Sequence, residues 1–112
     1  MDTTRQNKIA RLIQKELGEI FQRQGRSHFE GAMITVTNVS VTKDLSLAKV
    51  YLSLFATKDK NELLNKIIAN TKEIRMNLSQ KVRNQLRIIP ELKFYIDDAL
   101  DYIEKIDNLL KK

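Results

Sequence analysis

The sequence predicts an α+β domain, and three observations predict it. Apolar residues recur at helical spacing in separated segments. Two neighbouring runs are β-branched and alternate in polarity, and the single proline precedes a third alternating run. The resulting order is helix, strand, strand, helical segment, strand, helix, which suits helices laid against one face of a small three-stranded sheet. A chain of 112 residues fits one domain with one core.

Residues 4–24 are the first predicted helix. Ile9, Leu12, Ile13, Leu17, Ile20 and Phe21 draw one apolar stripe. Thr3 or Thr4 can cap its start, and Gly25 offers a stop. "RSHFEGAM" then reads as a loop that holds His28. Residues 33–56 are a predicted hairpin. "ITVTNVSVT" alternates, but its phase slips at Asn38: Ile34 and Val36 share one parity, Val39 and Val41 the other. One inserted residue does that, so a bulge is expected near Asn38. "KDLS" supplies the turn, and Ala48, Val50, Leu52 and Leu54 alternate with Lys49, Tyr51, Ser53 and Phe55.

A helical pattern spans residues 60–86. Leu63, Ile67, Ile74, Leu78 and Val82 stay on one side even of an unbroken helix, so periodicity alone demands no break. Length argues for one. About 25 residues at about 1.5 Å each make a rod of about 37 Å. A domain of this size has a radius of gyration of only about 13 Å. Asn70 and Thr71 are weak helix formers that can cap a new start. The pattern is therefore expected to be two helices joined at Ala69-Asn70-Thr71, the second starting near Lys72. Ile88 and Ile89 before Pro90 favour extended backbone. Residues 92–97 are the third strand, with Leu92, Phe94 and Ile96 inward and Tyr51 and Tyr95 on outward parity. Asp97 or Asp98 caps a last helix over 99–111, with Leu100, Ile103, Ile106 and Leu110 packed inward.

Composition narrows the function. The formal net charge is +6 and is unevenly spread. Residues 1–26 carry a net +3, residues 72–96 a net +4, and the tail from Asp97 a net −2. Such a field suits a polyanion, and charge alone suits a solvated lysine-rich surface equally well. Lys72, Arg75, Ser79 and Arg83 share one face of the second helix of the pair. Free amides and the positive dipole end at that helix start favour phosphate. With no cysteine, disulfide and thiol chemistry are excluded. With one histidine, neither a histidine metal cluster nor a Ser-His-Asp triad can be built. No phosphate-binding glycine loop follows a strand, and nothing in the sequence carries catalysis. No enzyme, no cofactor and no small-molecule substrate are expected. The charged N-terminus lacks an apolar signal core, and no run approaches a membrane span, so a soluble, cytoplasmic, monomeric protein is expected.

Three stretches carry a family resemblance: "RQNKIARLIQKELGEIF", "ITVTNVSVTKDLSLAKVYLS" and "LRIIPELKFYIDD". Together they resemble the bacterial ribosome-binding factor A family over nearly the whole chain. The resemblance implies a KH-like type II fold, in the order α-β-β-α-(kink)-α-β-α. The usual KH module grips nucleic-acid backbone with a GXXG loop. This family has an Ala-X-Gly kink instead, and here Ala69-Asn70-Thr71 keeps the alanine and departs at Thr71. The resemblance further implies a non-enzymatic assembly factor. Such a factor binds the free, immature small ribosomal subunit and its ribosomal RNA, and assists late maturation, including the RNA 5′ end, most of all in the cold. Carried over by position, the RNA-binding candidates are Ala69, Asn70, Thr71, Lys72, Arg75, Arg83 and Arg87, with Arg5 and Lys8 on the first helix. The alternative is a basic adaptor module that meets an acidic protein partner.

Overall fold

The computed structural model describes residues 3–29, 31–55 and 57–97. Its elements are α1 (Thr4–His28), β1 (Met33–Val41), β2 (Leu47–Phe55), α2 (Lys60–Ala69), α3 (Thr71–Val82) and β3 (Glu91–Ile96). The expected last helix over 99–111 lies outside the described residues.

The sheet order is β1-β2-β3, antiparallel between β1 and β2 and parallel between β2 and β3. The register slips between Val36 and Asn38, so Thr37 is the extra residue of the bulge expected near Asn38. Because of that slip, Ile34, Val36, Val39 and Val41 are all buried. The bulge also turns out carbonyls that need donors. The Gln14 amide of α1 reaches the Val36 carbonyl at 3.2 Å and that of Thr37 at 3.4 Å. The Thr37 hydroxyl donates to the Asp97 carboxylate at 2.6 Å.

Ile34, Val36, Val39, Val41, Ala48, Val50, Leu52, Leu54, Leu92 and Phe94 give the sheet one buried face. Onto the core come Ile13, Leu17, Ile20 and Phe21 of α1, Leu63 and Ile67 of α2, and Ile74, Leu78 and Val82 of α3. The other face carries Met33, Lys49, Tyr51, Phe55, Lys93 and Tyr95. Tyr51 and Tyr95 stack there at 5.4 Å, matching their outward parity.

Two helix ends differ from expectation. Instead of stopping at Gly25, α1 continues to His28. Glycine ends a helix only where the backbone turns left-handed. The next apolar residue after Phe21 is the buried Phe29, about two turns on at the C-cap, whose ring lies 6.2 Å from that of Phe21. Anchored there, the last turn outweighs the helix penalty of about 1 kcal/mol for glycine. The second difference is that α3 ends at Val82, not near Leu86. Gln85 and Leu86 both donate to the Val82 carbonyl, closing a turn that sends the chain back toward β3.

At the start of α1, one side chain does two jobs. Thr3 caps the helix, with Gln6 N–H donating to its hydroxyl at 3.1 Å and Thr3 N–H donating to Gln6 Oε1 at 2.9 Å. The same Gln6 amide, 4% exposed, donates through Nε2 to the Val41 carbonyl at 2.8 Å. Cap and sheet end are thus joined through one buried group. Gln6→Leu should cost about 1–3 kcal/mol of stability in urea unfolding, because it removes the reciprocal half of the capping box, from Thr3 N–H to Gln6 Oε1, and orphans the Val41 carbonyl. A midpoint within error of the parent would show that water replaces Gln6 without cost.

Candidate nucleic-acid interface

The helix pair does break, at one residue. Asn70 has φ −98° and ψ 11°, ends α2 and precedes α3. Its side-chain amide donates to the Lys66 carbonyl at 2.8 Å, closing α2. The Thr71 hydroxyl donates to the Ile68 carbonyl at 2.7 Å. Among the described residues, only Leu45 and Gly31 have positive φ. The junction therefore takes Thr71 without glycine geometry and starts α3 directly at Thr71, one residue before Lys72. Both polar side chains here face back to α2, and no side chain caps the first turn of α3. Its leading amides thus meet no side-chain acceptor, which leaves the positive dipole end open to an anion.

Beside this start lies a groove of about 850 Å³, lined by Ile68, Ala69, Thr71, Lys72, Arg75, Met76, Ser79, Ile89, Glu91 and Leu92. Lys72 is exposed on its rim. Arg75 has a second duty. Its Nε donates to the Pro90 carbonyl at 3.1 Å and its Nη2 to the Ile89 carbonyl at 2.6 Å. These bonds clasp the α3–β3 connection while leaving other guanidinium N–H groups for a ligand.

A second concavity, of about 860 Å³, opens between the start of α1, the β1–β2 turn and the α3–β3 connection. Arg5, Lys8 and Arg87 line it together with Lys43, Asp44, Leu45, Leu86 and Ile88. The structure thus divides the candidates from sequence. Ala69, Thr71, Lys72 and Arg75 meet in the groove; Arg5, Lys8 and Arg87 meet in the cleft. Asn70 shapes the junction without lining either. Arg83 lines neither and stands exposed at the end of α3. Sequence reasoning missed Lys43, whose one signal was its place in the "KDLS" turn.

The turn is rigid. Thr42 N–H donates to the Leu47 carbonyl and Leu45 N–H to that of Thr42. Asp44 accepts from the Thr42 hydroxyl at 2.7 Å, the Ser46 hydroxyl at 2.8 Å and the Ser46 amide at 3.1 Å. These bonds, that of Thr42 foremost, hold the Asp44 carboxyl below its ordinary value of 3.8. Among the described residues, no group of three or more His, Cys, Asp or Glu could hold a metal. None of the described helices is long and apolar enough to cross a membrane.

The profile of the family described as ribosome-binding factor A matches residues 5–110. A ribosome-binding factor A of Flavobacterium johnsoniae is 52% identical over 111 residues, covering 98% of this chain and 85% of its own length. That of Cytophaga hutchinsonii is 46% identical over 112 residues, covering 100% of this chain and 84% of its own. The crystal structure of ribosome-binding factor A from Thermus thermophilus superposes with a TM-score of 0.68 at 21% identity, over 81% of this chain and 94% of that one. A ribosome-binding factor A from the same organism, fitted as a homology model into the map of a 30S complex, gives a TM-score of 0.62 at 25% identity, over 78% and 89%.

Two outcomes follow for this surface. Arg75→Lys should lower stability by about 1 kcal/mol in thermal unfolding, since an ammonium cannot span two carbonyls as the guanidinium does. An unchanged midpoint would reduce Arg75 to a surface cation. The Asp44 carboxyl, depressed in the folded state, should support the turn fully above its unfolded value and lose that support as pH falls through its folded value, below 3.8. The Ser46 amide proton resonance should report that titration; no movement below pH 4 would contradict the bonding.

Proposed function

Since the chain belongs to the ribosome-binding factor A family, we propose that it is a non-enzymatic assembly factor of the small ribosomal subunit, gripping ribosomal RNA with the groove at the Asn70 junction. One observation carries the choice of surface: α3 starts without a side-chain cap, on a groove rimmed by Lys72 and Arg75. Backbone amides, a dipole end and cations directed at one place recognise phosphate by position and leave sequence unread. The 30S complex of the Thermus thermophilus relative supports the small subunit as the partner. Its immature, free form, assistance to 5′-end maturation, cytoplasmic action as a monomer and a greater need in the cold complete the proposal, supported by the family alone.

Arg83 extends the groove's field along α3 from its exposed end, and Arg5, Lys8 and Arg87 extend it into the cleft that adjoins the groove across the α3–β3 connection. The test uses Lys72→Gln with Arg83→Gln, because both side chains are exposed and neither is bonded within the described residues. The melting temperature should stay put. Co-sedimentation with immature small subunits should weaken, and the log–log salt slope should shrink by about 2 from a parent value of roughly −3 to −4. Parent-like binding and slope would remove this surface from the interface. Binding that survives nuclease treatment at full strength would favour an acidic protein partner instead.

A further inference from the structure

The cleft between α1, the β1–β2 turn and the α3–β3 connection carries four cations, where the groove at the junction carries two. Arg5, Lys8, Lys43 and Arg87 ring it, and none of them makes an ion pair among the described residues. Its one carboxylate, Asp44, is already taken up by three hydrogen bonds inside its own turn. Four unpaired cations around one concavity repel each other and are relieved by an anion.

The floor is apolar. Ile9, Leu45 and Leu86 are at least half-buried, and Ile88 stands 70% exposed at the mouth. An isoleucine so placed costs hydration and contributes little packing within the described chain. The wall is strained as well: Leu45, not a glycine, has φ 62°. That conformation is unfavourable for a residue with a side chain, and it holds Leu45 inward against the core, with Lys43 and Asp44 outward. A cation ring over an apolar floor matches neither duplex backbone, which offers only phosphate and sugar, nor a free inorganic anion.

We propose that this cleft takes a single unpaired nucleotide of an RNA strand, its base laid on Ile9, Leu86 and Ile88 and its flanking phosphates held by Arg5, Lys8, Lys43 and Arg87. The volume of about 860 Å³ is ample for one nucleotide. Bases that protrude from structured RNA are read by stacking and by edge hydrogen bonds. The Gln85 side-chain amide and Thr4 hydroxyl, both exposed and unbonded in the described residues, supply edge partners at the rim. The inference rests on the RNA-binding reading for its partner and adds a second contact, single-stranded where the first is backbone.

The test is methyl spectroscopy of the full chain with labelled isoleucines, titrated with octauridylate and, separately, with a short RNA duplex. Octauridylate should move Ile9 and Ile88, and the duplex should move Ile68 beside the junction. Lys43→Gln with Arg87→Gln should weaken octauridylate about tenfold and cut its salt slope by about 2. Ile88→Glu, at a site too exposed to unfold the domain, should weaken it similarly. Octauridylate shifts confined to Ile68 and Ile89, or unmoved affinity in both variants, overturn the inference. If that happens while the parent still sediments with small subunits, only the cleft assignment falls. If octauridylate enters the cleft but the parent never sediments with subunits, the cleft stands and the ribosomal reading falls.

Discussion

Parallel pairing of β2 with β3 is the constraint from which the rest of the architecture follows. Leu47 lies beside Glu91 and Leu52 beside Ile96, so the chain that leaves Phe55 must travel back the length of β2 before it can pair again. Parallel neighbours always need such a crossover. A straight helix through residues 60–82 would carry the chain about 34 Å in one direction and strand it away from the return point. The break at Asn70 lets two shorter helices bury Leu63, Ile67, Ile74, Leu78 and Val82 on one sheet face. The break in turn creates a helix start that no side chain caps. Arg75 then fastens the connection beyond α3 by the carbonyls of Ile89 and Pro90. Topology thus produces the groove, and cations added on its rim give it a use.

A different bond organises the adjoining cleft. Gln6 joins the first turn of α1 to the last carbonyl of β1, which sets Arg5 and Lys8 beside the β1–β2 turn. The α3–β3 connection brings Arg87 to the same place. The two positive stretches of the chain, far apart in sequence, therefore converge on one cleft. Lys81 of α3 meets Glu16 and Glu19 of α1 at 3.8 Å each, so some cations of the same segments are neutralised within the fold. Such half-exposed pairs add little stability, but they remove charge from that side and sharpen the contrast with the unpaired cations of the groove and cleft.

Much of this was legible in the sequence. The phase slip between Val36 and Val39 announced the bulge, because one misplaced residue would turn half of β1 to the wrong face. The helix break was legible from length rather than pattern, since the apolar stripe runs through Asn70 undisturbed. Boundaries were harder. Gly25 looked like a stop, yet whether glycine turns left-handed depends on Phe29 finding Phe21, a contact no local rule contains. The second duty of Arg75 was hidden for the same reason: two carbonyls fourteen and fifteen residues away are brought to it only by the return of the chain. Lys43 carried no mark beyond its place in the "KDLS" turn, because its meaning comes from Arg5, Lys8 and Arg87 arriving from elsewhere.

Two adjoining, cation-rimmed concavities on one small domain fix where RNA should lie. Ultraviolet cross-linking of the full chain to immature small subunits, followed by mapping of the nucleotide-bearing peptides, tests it most directly. Adducts should fall within residues 66–76 at the junction and within 4–9, 43–45 and 85–89 around the cleft. Adducts concentrated instead on the open sheet face, at Tyr51 and Tyr95, would contradict the account.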